Sequence, residues 1–479
     1  MKKLLLIFLF FLPVLLYHIN IPILDTYSFR QTQTAAVTRN FYKNGINFLK
    51  TELDVFGTGN EKYLLLEFPV YQAIVCIFYK LFFPSEIWGR IVSIIMAYLG
   101  AFLLFKLLFL LTDDLNFSLL TTFIYLSIPV NIHFNRTFLM EPTVIATILG
   151  FLYFFTLGIL KENIYFWILG IIFSSISFLH KSLYGPFFLL PVVYLIIFKN
   201  KKFNKFILLL SLLIPLSLMF RWQMYCDEMN LMNNHFSLTL ADKAYRIRNF
   251  GTISERFIFE TYKQGILNLF PELLTHLTLI PVIFGIFTIK RRKNYQYFYF
   301  LFLSSFLFYF VLIKIQCHHY YNMLITPIVS IFCAEGLLYF KNLFKSEHSK
   351  KLFLTLFLIV NTLISLKFAY RYHKFDAPLA LKIGEIVKKE TKPDENIIIC
   401  FPGYDWNSAY TYYAERKGIH IESSQLKENT IKNLYRKNYK LLILMEWQNY
   451  LKFDEKQKFL YNFDVIEKND DFIILKLKW

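Results

Sequence analysis

An acid, an arginine and a run of amides and hydroxyls stand together in the segment DTYSFRQTQTAAVT, residues 25–38. The segment follows the first apolar run of the chain. Such a set is costly beside lipid, so it belongs in a protein interior or on the wall of a wet cavity. Its chemistry suits an anionic, hydroxylated ligand. A dry carboxylate at Asp25 acts as a general base on a hydroxyl, and Arg30 grips a phosphate through paired N–H groups. If a helix starts at Ser28, Arg30, Gln33 and Thr34 share one face. Gln31 and Arg39 complete the group. The competing reading is an ordinary interfacial cap.

Three more clusters carry the same kinds of residue. Glu67 lies in LLEFPVY (65–71), two residues before Pro69. Arg136 and Glu141 lie in FNRTFLMEPT (134–143), where Pro142 suits the first turn of a helix. In both places a carboxylate that complements a helix dipole is the plain alternative. The last cluster is His180–Lys181 with His318–His319–Tyr320–Tyr321. Lysine and histidine at helix ends suit a lipid phosphate, and an interfacial Tyr/His belt is the plain alternative. Adjacent histidines point apart, which argues against a metal there. No cofactor is called for; a divalent metal, if one is used, has Asp25, Glu141 and His318 as its candidate ligands. The five cysteines have no ligand-like spacing and read as packing thiols.

The elements that must position these residues are membrane helices. The chain has 479 residues, 56% of them hydrophobic, and apolar runs recur along most of it. Candidate spans are 3–22, 88–111, 115–133, 143–160, 164–180, 183–198, 206–222, 272–289, 297–315, 320–340 and 352–371. The basic, apolar N-terminus has no small-residue cleavage site and reads as a retained first helix. The stretch 69–83 is short for a span, contains Lys80, and reads as an interfacial helix. If it does not cross, the basic loops 199–205, 290–294 and 341–351 all face the cytoplasm, as the positive-inside rule requires. The outer face then holds loop 23–87, the turn near 135–142, loop 223–271 and the turn 316–321. Asp25, Glu67 and Glu141 fall on that one face. No internal repeat is visible, which argues against a transporter of inverted halves.

After residue 373 the composition changes. Residues 374–479 carry a net charge of +2, and the membrane part carries +16. That contrast fits membrane topology and an anionic lipid substrate, and excludes a nucleic-acid partner. Apolar strands at 397–402, 441–446 and 472–478 alternate with helix-like segments, so a small α/β domain is expected outside the membrane.

The order of these motifs resembles the GT-C superfamily of polyprenyl-phosphate-sugar glycosyltransferases, and within it the clan of protein O-mannosyltransferases and lipid A aminoarabinose transferases. It runs from Asp25 through Glu67-Phe68-Pro69, WGRIVSIIMAYLG (88–100), RTFLMEP, LHKSLYGP (179–186) and HHYYNMLITP (318–327), and covers residues 1–370. The resemblance implies a polytopic α-helical fold of about 11 transmembrane helices plus interfacial helices, with the small α/β domain of bacterial members. It implies a catalytic acid at Asp25 and a second at Glu141, where the family often has Asp-Pro. The family's Glu-Lys-Pro motif is Glu67-Phe68-Pro69 here, without its lysine. The lysine of its Thr-Lys-Gly-like motif is kept as Lys181. The expected arrangement has Arg30, Lys181, Arg136 and His318 on the donor phosphate. Glu67, Gln31, Gln33, His319 and Tyr320 orient substrate. The expected reaction moves a sugar, with inversion, from a polyprenyl-phosphate donor to a lipid, glycan or protein acceptor on the outer face of a bacterial inner membrane. An O-antigen ligase or polymerase would not need an acid directly after the first helix. A flippase or transporter would show intramembrane charges and repeat symmetry.

Overall fold

The computed structural model describes the chain except residues 57–62, 183, 234–237, 314–317, 404–406 and 450–454; the side chains of 264–266, 268–271 and 455–458 are also left undescribed. A helix stands at every expected span. The principal ones are Lys2–Leu16, Glu86–Thr112, Leu115–Ser127, Glu141–Leu160, Ile164–His180, Leu213–Met232, Tyr295–Val311, Thr326–Lys341 and Glu347–Tyr370. Among the described residues five helices are long and apolar enough to cross a bilayer by length and composition, and the other apolar ones are shorter. The 27-residue helix Glu86–Thr112 is about 40 Å long, beyond the ~30 Å hydrocarbon core. The first helix stops at Leu16, six residues short of the expected end, because Tyr17 leaves the helix with an extended backbone and residues 17–20 form turns. Helices Leu279–Thr288 and Thr326–Lys341 pack closely. A Cβ on Gly285 or Gly336 would strike the Phe332 or Pro281 carbonyl, the close approach that small residues permit between membrane helices.

Ion pairs tie loops together on each side of the bundle. Lys293 meets Asp113 at 2.6 Å, and Arg292 meets both Asp114 and Glu335 at 2.5 Å. The basic loop 290–294 therefore shares a face with the turn after helix Glu86–Thr112. On the opposite face, helix Val70–Leu81 has its two ends close to one loop. Glu67 before it pairs with Arg30, and Glu86 after it accepts from the Ile23 N–H at 3.1 Å. This 12-residue helix is about 18 Å long, shorter than the ~30 Å hydrocarbon core, and both its ends lie beside residues 23–30.

The soluble part is one six-stranded sheet. Its strands are β1 (Val55–Phe56), β2 (Asn396–Phe401), β3 (Gly418–Glu422), β4 (Tyr439–Met445), β5 (Asp464–Lys468) and β6 (Phe472–Lys476), in the order β1-β3-β2-β4-β6-β5. The pairs from β1 to β4 are parallel, and β6 runs antiparallel to both β4 and β5. Strands β2 and β4 are nearly all buried, which is why they read as continuous apolar runs. Strands β3 and β5 escape that reading. β3 is short and carries His420 and Glu422; β5 is an exposed, charged edge. β1 comes from the loop after the first helix and pairs with β3, so the sheet is not confined to residues 374–479. Leu24 packs in its core with Ala377, Ala380 and Ile443, Thr32 hydrogen-bonds Ser408 at 2.7 Å, and Arg39 donates to the Tyr412 carbonyl at 2.8 Å. Cys76, Cys226, Cys333 and Cys400 are buried free thiols, and Cys317 lies outside the described residues.

Candidate active site

Helix Ser28–Asn44 follows Tyr27, which has a left-handed backbone (φ 63°), an uncommon conformation for a bulky residue. Contacts hold it there. Asp376 accepts from the Tyr27 N–H at 2.5 Å, and the Tyr27 hydroxyl accepts from the His319 N–H at 3.0 Å. The turn swings the polar face of the helix inward, and Arg30, Gln31 and Gln33 are all buried.

These side chains serve two compartments. The first is a cavity of about 500 Å³. Arg30, Gln33, Glu67, Lys181, His318 and Tyr320 stand on its wall, joined by Ser182, Tyr245 and Arg248, with apolar sides that include Phe29, Leu179 and Phe220. Arg30 pairs with Glu67 and donates to Gln33 at 2.8 Å. Burial opposes charge on both members of the pair, and their mutual attraction overrides it. The Arg30 pKa is raised and that of Glu67 is held below the usual carboxylate range. Lys181, just past helix Ile164–His180, pairs with Glu141 at the start of helix Glu141–Leu160. Its ammonium lies 4.7–5.3 Å from the ring centres of Tyr184, Tyr320 and Tyr321, a cation–π cage. Phe68, at the place of the missing lysine, stacks on Phe48 and meets Trp222 edge-on; it is a packing residue. His318 is pushed down to about 4 by burial and by Arg30 and Lys181, so it is neutral at pH 7 and offers hydrogen bonds rather than charge.

The second compartment lies behind this wall. Asp25 is fully buried. Its Oδ1 accepts from Gln31 at 2.6 Å, and its Oδ2 has no hydrogen-bond partner but stands 4.0 Å from the Arg136 guanidinium. Gln31 also accepts from the Phe138 N–H at 3.0 Å, which locks the second outer turn to the first loop. Asp25, Gln31 and Arg136 therefore sit together but off the cavity wall. His319 is off it too, paired with Glu272. Glu141 reaches the cavity only through Lys181. The ligand atoms of Asp25, His133 and His373 lie within 4.8 Å of one another, a spacing that a metal ion could use; Glu141 and His318 are not in that group.

Tyr245, Arg248 and Ser182 line the cavity and escaped the sequence reading. The signal for the first two was the basic helix Lys243–Phe250 in the loop 223–271, with Tyr245, Arg246 and Arg248 in one turn. His133 escaped because it lies in an apolar span, and His373 because, among Arg371 and Lys374, it read as part of a basic helix end.

The chain overlays well on structures of membrane glycosyltransferases. It matches ArnT from Cupriavidus metallidurans bound to undecaprenyl phosphate with a TM-score of 0.66 and 12% identity, over 98% of this chain and 97% of that one. It matches the Archaeoglobus fulgidus oligosaccharyltransferase in complex with Zn and sulfate with a TM-score of 0.59 and 10% identity, over 92% and 68%. The same enzyme tethered to an acceptor peptide gives 0.54 and 11%, over 92% and 69%. The chain has the GT-C fold. In sequence, residues 67–225 match the family model described as dolichyl-phosphate-mannose-protein mannosyltransferase. No curated protein sequence matches significantly. The GT-C match takes in both the helical bundle and the sheet. The family-model match begins at Glu67 and includes Glu141 and Lys181, so part of the cavity wall falls within it.

Proposed function

We propose that this chain is a glycosyltransferase that moves a sugar from a polyprenyl-phosphate-linked donor to a lipid, glycan or protein acceptor. We place the reaction on the outer face of a bacterial inner membrane, where the sheet domain also lies. The observation that carries the reading is the large cavity. It combines three cations, Arg30, Lys181 and Arg248, with apolar walls. That pairing suits a phosphate joined to an isoprenoid chain. Nucleotide phosphates are bound in many folds by a Gly-rich loop, and the chain carries no such loop motif.

In this reading the acceptor hydroxyl attacks the anomeric carbon as the carbon–oxygen bond to phosphate breaks. Inversion follows from the single displacement. The acceptor proton goes to a carboxylate, and the negative charge goes to the leaving phosphate. Arg30, Lys181 and Arg248 stabilise that charge, and fixed charges in a dry site do so without reorganising. Asp25 is the proposed base, because one of its oxygens accepts no hydrogen bond while Gln31 fixes the other. Glu67 is the second reading for that role. It lines the cavity, whereas Asp25 lies behind it; its pairing with Arg30 lowers its basicity. Glu141 is assigned to holding Lys181.

The test is a transfer assay with Asp25→Asn and Glu67→Gln in protein shown to be folded. Asp25→Asn is expected to abolish transfer, since a base is worth about 10²–10⁴ in rate. Activity above roughly a tenth of wild type would remove Asp25 from the base role. A selective loss in Glu67→Gln would move the role there.

A further inference from the structure

A second, smaller hollow of about 350 Å³ opens between the outer ends of the first helix and the last. Val14 and Tyr17 form one wall, and Leu366 and Tyr370 form the other. Both walls continue into apolar surface that faces outward; Leu16 is 41% exposed and Leu363 60%. Tyr17 and Tyr370 stand exposed at the hollow, as tyrosines do at the headgroup level of a bilayer. The end of the hollow is basic. Arg136 and His373 line it, with the Arg136 guanidinium 3.1 Å from His373 Nδ1.

Charge decides what this end can hold. Arg90 is buried beside Arg136, and both donate to the His18 carbonyl, at 2.7 and 3.1 Å. Among the described residues Asp25 is the carboxylate nearest Arg136, at 4.0 Å and without a hydrogen bond between them, while Glu86 lies in electrostatic reach of Arg90. Both ring nitrogens of the fully buried His133 lack a hydrogen-bond partner, as do Nε of Arg90 and Nε of Arg136. Burial and Arg90 pull the Arg136 pKa down to about 10, the mark of a cation short of counter-charge. A divalent metal held by Asp25, His133 and His373 would add positive charge beside Arg136, which no carboxylate hydrogen-bonds. An anion at the mouth of the hollow supplies the contact Arg136 lacks.

We propose that the hollow between the first and last membrane helices binds an anionic phospholipid of the phosphatidylglycerol type, with its phosphodiester at Arg136 and His373 and its acyl chains along Val14 and Leu366. Arginine is a strong phosphate ligand. Phospholipid is the solvent at this surface, so even a modest site is filled by mass action. The inference does not depend on the sugar-transfer reading, since Lys181 and Arg30, assigned there to the donor, do not line the hollow.

The test is native mass spectrometry of the purified chain, titrated separately with phosphatidylglycerol, phosphatidylcholine and inorganic phosphate. One phosphatidylglycerol is expected to be retained at least several-fold over phosphatidylcholine, and phosphate alone should not displace it. Arg136→Gln and Leu366→Trp should each remove that one adduct, and Lys181→Ala should leave it. If Arg136→Gln loses its cooperative thermal transition, Leu366→Trp decides, since it fills the hollow without touching the buried charges. Equal retention of both lipids, or a preference that survives Leu366→Trp, would overturn the proposal. So would displacement of the adduct by an equimolar amount of polyprenyl phosphate, which would make the hollow a substrate site.

Discussion

Three carboxylates, Asp25, Glu67 and Glu141, gather near four cations, Arg30, Arg136, Lys181 and Arg248, and their pairings separate their roles. Glu67 and Glu141 each have a cation in contact, Arg30 and Lys181. Asp25 keeps an oxygen free. Under the proposed function, removing Lys181 takes away a phosphate contact; in any case it strands Glu141 in a buried place. Lys181→Ala should therefore weaken donor use by about ten- to a hundredfold, since a charged hydrogen bond is worth about 1.5–3 kcal/mol. Lys181→Ala with Glu141→Gln should recover fold stability without recovering donor use. A donor titration beside a thermal melt separates the two effects; unchanged donor affinity in Lys181→Ala would contradict its role. His318 gives a pH test. Its pKa near 4 keeps it neutral from about pH 5.5 upward, because protonation would add charge next to Arg30 and Lys181. His318→Asn should leave the shape of the kcat/KM profile between about pH 5.5 and 8 unchanged. An acid limb near pH 6 that disappears in the variant would show that the charged form works.

At the scale of elements, helix Val70–Leu81 and helix Lys243–Phe250 carry the most specific expectations. If the first lies flat on the outer face, as the sequence reading expects, Lys80→Cys should react with a membrane-impermeant thiol reagent from the same side as a cysteine at Glu428. A cysteine at Lys202 or at Lys293 should be protected in intact cells. Labelling of Lys80→Cys only after permeabilisation would overturn this arrangement. The second helix brings Tyr245 and Arg248 to the cavity. Arg248→Ala should cost donor use in the same range as Lys181→Ala, with a smaller effect on melting because Arg248 is exposed. An effect on stability alone would place Arg248 outside the donor site.

At the scale of the whole molecule, the sheet and the bundle interlock. Leu24 lies in the sheet domain's core, and Val55–Phe56 extends its edge. Expressing residues 1–373 alone should unfold the first outer loop, read as protease cleavage within 23–56. A truncated chain with that loop still protected would show that the domain is an accessory. The legibility of the sequence follows the same divide. The membrane helices were readable because lipid demands long apolar runs. Strands β2 and β4 were readable as buried parallel strands. What was not readable depends on long-range closure. Two residues of β1 carry no periodicity of their own, and nothing local tells that Gln31 reaches Phe138 or that His373 meets Arg136. The site was legible as a list of residue types on one face. Its division into a large cavity and a separate basic hollow was not, because that depends on which side of helix Ser28–Asn44 each neighbour packs.

The central claim is that a lipid-linked phosphate sugar is the donor. Purified protein in nanodiscs can be given a labelled polyprenyl-phosphate sugar or a labelled nucleotide sugar, with released carrier read by mass spectrometry. Release of free polyprenyl phosphate from the first, lost in Asp25→Asn, and no turnover of the second is the predicted result. Turnover of the nucleotide sugar with no lipid carrier present would contradict it.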